Sequence, residues 1–197
     1  MYIYYNEKNI KRARGKNMKK VLILDGGDVG TESSAIRSAL ECFGYIVTVF
    51  YIGRPQDYFD ALGGKLNFDF DYLVICCHGE DGKIIAPVLA DEVYLPDECR
   101  GALGFDELCG AVAFNNKITV CTGCTTGYGE LYRAFTEGGN SFVAPRDYID
   151  GKSCFLFVVT MFYHLSNDVC LKESCELSRA IDSETELFGV YGVDREN

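Results

Sequence analysis

The chain has 197 residues, 48% of them hydrophobic, with 13 Phe, 13 Tyr and a formal net charge of −10. That length fits one domain, or one domain with a short extension, and its apolar content excludes a disordered or low-complexity protein. The charge is uneven: residues 1–20 hold seven bases against Glu7, leaving 12 bases and 28 acids beyond them, a net of −16 that repels phosphate and argues against a nucleic-acid partner.

Residues 1–17 read as an upstream extension without a packing role, because Met18-Lys19-Lys20 runs straight into an apolar stretch. Residues 18–197 then form the single folded domain. Residues 21–24 are a short, continuous apolar run ending in Asp25-Gly26-Gly27-Asp28, the pattern of a buried strand and its exit loop. Residues 31–43 carry apolar side chains at helical spacing and stop at Gly44. A second strand is predicted over 46–52, a short helix over 56–62, and a third buried strand over 72–77 ending at His78-Gly79.

The stretch 80–116 is less regular, with a hairpin or arm over 82–89, a loop over 96–104 and a helix over 105–114. A fourth strand at 118–121 leads to a helix at 127–137, followed by a fifth strand at 141–144. An apolar helix at 153–165, a polar helix at 171–181 and an edge strand at 187–191 complete the order. Buried β runs alternating with helices imply an α/β fold: a three-layer, doubly wound, mainly parallel sheet of five to six strands with helices on both faces. In such sheets ligands bind beyond the carboxyl ends of the strands, near the switch in strand order. The loops after strands one, three and four are therefore the place to look.

No stretch reaches the roughly 20 apolar residues of a membrane span. The N-terminus lacks the apolar run of a secretory signal. Ten cysteines without such a signal point to a reducing, cytoplasmic setting in which most thiols are free core residues.

Strand three delivers His78 and strand four delivers Cys121-Thr122-Gly123-Cys124-Thr125-Thr126-Gly127. If the strands are neighbours, an imidazole can take the thiol proton and create the nucleophilic thiolate. A helix starting just after Cys124 would favour the thiolate further. Gly79 and Gly123 would let a substrate backbone approach closely, and the N–H groups of Gly79 and Cys124 are natural oxyanion donors.

His78-Gly79-Glu80-Asp81-Gly82 resembles the His-Gly-Glu-x-Gly segment of the caspase-like cysteine peptidases. Gly123-Cys124-Thr125-Thr126-Gly127 resembles the Ala-Cys-x-Thr-Gly of their CHAT-domain branch, and Ala134-Phe135, Gly138-Gly139 and Phe142-Val143-Ala144-Pro145 match the helix and strand that follow. The resemblance covers about residues 20–165. It implies a cysteine endopeptidase acting on a peptide or protein, with Cys124 as nucleophile, His78 as base and then acid, and no metal or organic cofactor. Caspases carry a Gln two residues before the nucleophile to hold an acidic P1 side chain, and Thr122 stands there instead. Asp25 and Asp28 on the first-strand loop imply a basic P1 residue if they line the pocket. Arg146, Asp147 and Tyr148 flank the groove by position.

Other readings compete. Cys121 and Cys124 form a Cys-x-x-Cys, the setting of a dithiol redox site. Cys76, Cys77, His78, Cys121 and Cys124 are potential metal ligands, although adjacent strand residues face opposite sides and the spacing fits no zinc template. A glutamine-amidotransferase-like elbow is mis-spaced and lacks its later His-x-Glu. Asp25-Gly26-Gly27-Asp28 lacks the spacing of a phosphate loop. Finally, a caspase-like scaffold can serve as a catalytically idle binding or regulatory module.

Overall fold

The structure is a computed structural model that describes residues 18–192; the expected extension at 1–17 lies outside the described residues. Six strands form the main sheet: β1 (Lys20–Asp25), β2 (Ile46–Tyr51), β3 (Tyr72–Cys76), β7 (Ile118–Cys121), β8 (Ser141–Pro145) and β9 (Phe188–Gly192). Their spatial order is β2-β1-β3-β7-β8-β9. All neighbouring pairs are parallel except β8 with β9. The order reverses between β1 and β3, so the crevice beyond their carboxyl ends is the switch point.

The central strands are continuous apolar runs because both their faces are covered. On one face Val21, Ile23, Val74, Cys76, Val120 and Val143 pack against α1 (Glu32–Cys42), α5 (Gly151–Ser166) and α6 (Leu171–Arg179), with Ile36, Leu40, Phe157, Phe162 and Leu171 facing them. On the other face Leu22, Leu24, Leu73, Ile75 and Phe142 meet α2 (Pro55–Leu62) and α4 (Leu131–Thr136), which supply Tyr58, Leu62, Leu131 and Phe135. Alternate residues of one strand thus fill two different cores, as the period of two requires. Among the described residues, no helix is long and apolar enough to cross a membrane.

Three expectations are corrected. The stretch 79–103 contains a second, three-stranded sheet made of β4 (Gly79–Glu80), β5 (Lys83–Ile85) and β6 (Ala102–Leu103), so part of the expected loop at 96–104 is a strand. Asp81 and Gly82, both at positive φ (49° and 75°), make the tight turn from β4 to β5. The helix expected over 105–114 is only α3 (Phe105–Leu108), ended by Gly110 at φ 74°.

The helix expected over 127–137 starts only at Leu131. Residues 122–130 are instead a series of turns, held partly by local bonds and partly by backbone bonds to other parts of the chain. Thr125 N–H donates to the Asp147 carbonyl (3.1 Å) and Gly127 N–H to the Pro145 carbonyl (2.7 Å). Those tertiary bonds replace the local ladder of a helix.

Candidate active site

The site follows from register. Ile75 of β3 lies opposite Cys121 of β7, and His78 and Cys124 each stand three residues further along. The two loops leave the sheet side by side and stay in contact. A Cβ on Gly79 would stand 2.2 Å from the Cys124 carbonyl oxygen, 2.8 Å from Thr126 Cγ2 and 2.9 Å from the Gly123 carbonyl carbon. A Cβ on Gly123 would stand 2.9 Å from Cys77 Sγ and 3.2 Å from Gly79 N. The glycines therefore let the His78 loop and the Cys124 loop approach each other, a different use from the open approach for substrate that the sequence implied.

The β4–β5 hairpin orients this contact. Ile85 N–H donates to the His78 carbonyl (2.9 Å), and Gly79 is the next position along, paired with Ile84. In an antiparallel ladder bonded and unbonded pairs alternate, so the Gly79 N–H turns away from β5. Gly82 N–H donates to Thr125 Oγ1 (3.1 Å), which pins the hairpin turn to the Cys124 loop.

The His78 side chain is exposed and its Nε2 lies 3.1 Å from the Asp28 carbonyl oxygen. A carbonyl can only accept, so in the neutral ring Nε2 carries the proton and Nδ1 holds the lone pair. Cys124 is half-buried and its thiol donates to the Ile149 carbonyl (3.6 Å). The helix expected to begin beside Cys124 starts seven residues later, so the N-terminus of that helix does not act on its thiol.

The other expected site residues separate. Asp25 is buried (6% exposed); its carboxylate accepts from Ser33 Oγ (2.5 Å) and from Gly27 N–H (3.0 Å), which holds it in its own loop. Asp28 is exposed, with φ 57°. Asp147 is exposed beyond β8, its carbonyl bonded to Thr125 N–H and its Oδ1 to Tyr148 N–H (2.8 Å). Glu80 and Asp81, also exposed, complete a group of four surface carboxylates on the loops around His78 and Cys124. Tyr148, 60% exposed, lies among them. Its hydroxyl is held above its ordinary range by partial desolvation first, then by Glu80, Asp81, Cys124 and Asp147.

Thr122 is buried, and its hydroxyl joins three elements. It accepts from Cys77 N–H (3.3 Å), and it lies 3.3 Å from Glu32 Oε2 and 3.4 Å from the Ile75 carbonyl, either of which takes its proton. Glu32, at the start of α1, had no role in the sequence reading. An acid in a first helical turn is ordinary, and nothing local announces a partner just beyond β7.

Two alternatives lose ground on geometry. Cys121 is fully buried, with its sulfur 3.6 Å from that of Cys77, so the first cysteine of the Cys-x-x-Cys faces the core. The hydrogen bond with Cys121 first, and burial second, raise the Cys77 thiol. Cys76 and Cys77 belong to opposite cores and cannot converge on one ion.

The architecture agrees with solved structures. The chain is similar to caspase-1 from Spodoptera frugiperda at 15% identity, over 89% of this chain and 86% of that chain, with a TM-score of 0.50. It is similar to drICE at 12% identity, over 91% of this chain and 89% of that chain, with a TM-score of 0.50. No family model matches the chain, and no curated protein matches it. At these identities the likeness is one of fold: a six-stranded, mainly parallel sheet with helices on both faces, of the caspase-like α/β type.

Proposed function

We propose that the chain is a cysteine endopeptidase that cleaves after a basic residue, with Cys124 as nucleophile and His78 as general base and then acid. The observation that carries this reading is the pairing of the two loops: His78 and Cys124 stand at equal distances beyond a registered pair on adjacent parallel strands. The proposed step has the Cys124 side chain turn from the Ile149 carbonyl toward His78 Nδ1, the ring nitrogen not engaged with Asp28. The thiolate then attacks the scissile carbonyl carbon, and the developing oxyanion meets the N–H groups of Gly79 and Cys124. His78 returns its proton to the leaving amine as the C–N bond breaks, and water hydrolyses the thioester.

The basic preference is supported by the exposed carboxylates of Asp28, Glu80, Asp81 and Asp147 around the two loops. A guanidinium or ammonium arriving there meets opposite charge. Asp25 contributes to the loop and not to this surface, because both of its oxygens are engaged.

The test is turnover of matched fluorogenic peptides with Arg, Lys, Gln or Asp at P1, by wild type and Cys124→Ala. Cleavage of the Arg and Lys peptides at least tenfold faster than Gln, abolished in the variant, is expected. Equal rates for Arg and Gln would remove the specificity, and no cleavage of any peptide would remove the peptidase. The idle-module reading draws on one observation, the resting bond from the Cys124 thiol to Ile149. It predicts that Cys124 alkylates no faster than the exposed thiols Cys42 and Cys109.

A further inference from the structure

Glu32 is a half-buried residue whose carboxyl group is 90 residues in sequence from its hydrogen-bond partner Thr122. One oxygen, Oε2, lies 3.3 Å from the Thr122 hydroxyl, which in turn receives the N–H of Cys77 (3.3 Å). Thr122 stands two residues before Cys124 and Cys77 one residue before His78. A single chain of hydrogen bonds therefore ties the start of α1 to the carboxyl ends of β7 and β3, the strands that carry the two loops. The second oxygen, Oε1, is out of contact with solvent and has no hydrogen-bond partner of normal geometry. Such a group is not an accident of the surface, because burying a carboxyl without full pairing is unfavourable.

We propose that Glu32 is a positioning residue of the His78–Cys124 pair, holding Thr122 against the Cys77 amide and, when ionised, favouring proton transfer from the Cys124 thiol to His78. This rests on the reading that His78 and Cys124 work together. The step moves one proton, from Cys124 Sγ to His78 Nδ1, leaving thiolate and imidazolium.

The groups around Glu32 come from every element packed against it. His78 lies beyond β3 and Cys76 on it, Asp25 ends β1, Thr122 follows β7, and Cys154 is on α5. Burial raises the carboxyl from 4.5 to about 7; Thr122, Cys154 and the charge on His78 pull it down, and Asp25 pushes it up. The interaction with His78 is mutual, so a carboxylate at Glu32 favours the imidazolium by the same amount that the imidazolium favours the carboxylate. Ionisation around neutral pH then converts Glu32 from a neutral clamp into a charged one.

The experiment measures the rate of Cys124 alkylation by iodoacetamide from pH 5.5 to 9, read by peptide mass spectrometry, in wild type, Glu32→Gln, Thr122→Val and His78→Ala. Glutamine keeps an oxygen for the Thr122 hydroxyl and loses the charge. The Glu32→Gln profile is expected to match wild type below pH 6 and to fall about threefold to tenfold below it above pH 7. Thr122→Val is expected to weaken the same inflection by cutting the link. A Glu32→Gln profile that superimposes on wild type, or lies below it by one factor at every pH, overturns the proposal and leaves the dyad standing if His78→Ala is slow. A His78→Ala rate equal to wild type overturns both. Should Glu32→Gln expose other buried thiols to label, Thr122→Val decides: an inflection unchanged from wild type counts against the proposal.

Discussion

Substitution of Gly79 by alanine tests the contact on which the site depends. The added methyl would stand 2.2 Å from the Cys124 carbonyl oxygen, 2.8 Å from Thr126 Cγ2 and 2.9 Å from the Gly123 carbonyl carbon. Two of these are backbone atoms, and they belong to the loop that carries the thiol. Backbone atoms cannot swing aside as a side chain does, so the two loops must separate. Overpacking of this kind costs about 1–3 kcal/mol, and the backbone contact places Gly79→Ala near the upper end. For a chain of this size about 3 kcal/mol lowers Tm by roughly 6–12 °C. Gly123→Ala is the internal comparison. Its shortest contacts are a sulfur at 2.9 Å and a methyl at 3.0 Å, both side-chain atoms, so its penalty is smaller. Adding Thr126→Ser to Gly79→Ala removes the 2.8 Å clash but leaves the 2.2 Å one, giving back less than half of the loss. Calorimetry gives the stability and iodoacetamide labelling the state of Cys124. If Gly79→Ala melts within 1 °C of wild type and Cys124 labels at the same rate, the loops are not locked together and the register argument fails.

The remaining predictions concern buried charge and the second cysteine. A Glu32 carboxyl raised from 4.5 to about 7 stays protonated in the fold while the unfolded chain ionises, so stability falls as pH rises through that window. At about 1.36 kcal/mol per tenfold this amounts to about 3 kcal/mol; Glu32→Gln should be more stable than wild type at pH 8 by up to that amount, and nearly equal to it at pH 4, by urea titration. Glu98 shows the opposite sign. Its sealed side chain takes two hydrogen bonds from Arg54 and one each from the Gln56 and Leu95 amides. Its carboxyl is lowered to about 2, chiefly by Arg54. That stability is present above about 4.5 and lost as pH falls toward 2, so Glu98→Gln should flatten the acid limb of the melting curve; an unchanged limb would show that the latch contributes nothing. Cys121→Ala should leave Cys124 alkylation within twofold of wild type, and a loss of most of it would bring back the dithiol reading.

How much of this was legible in the sequence depends on the range of the interaction. The buried strands announced themselves, because Val21-Leu22-Ile23-Leu24 and Leu73-Val74-Ile75 are apolar on both faces and end at glycine-bearing loops. The sequence put His78 and Cys124 beyond strands three and four and made their meeting conditional on those strands being neighbours; β3 does lie beside β7. The helix expected from Gly127 failed because helical composition there is outweighed by bonds to Pro145 and Asp147, residues on another element. Asp25 and Asp28 look equivalent in sequence, yet Ser33 buries one and the chain direction at φ 57° exposes the other. Glu32 was invisible for the same reason: its partner Thr122 follows β7, and nothing in Thr31-Glu32-Ser33 points there.

The contact between Gly79 and Gly123 also has a consequence for how such a sequence can drift. A Cβ at Gly79 would meet the backbone of the Cys124 loop and one at Gly123 the Cys77 sulfur and the Gly79 nitrogen, so each loop is shaped to the other. A transplanted loop bearing alanine at either position would have to arrive with a partner loop reshaped to receive it. Residue 79 should therefore stay glycine across descendants of this chain whatever stands at 123, because its obstacles are backbone atoms, whereas the exposed Asp147 on the neighbouring loop can vary without disturbing the frame beneath.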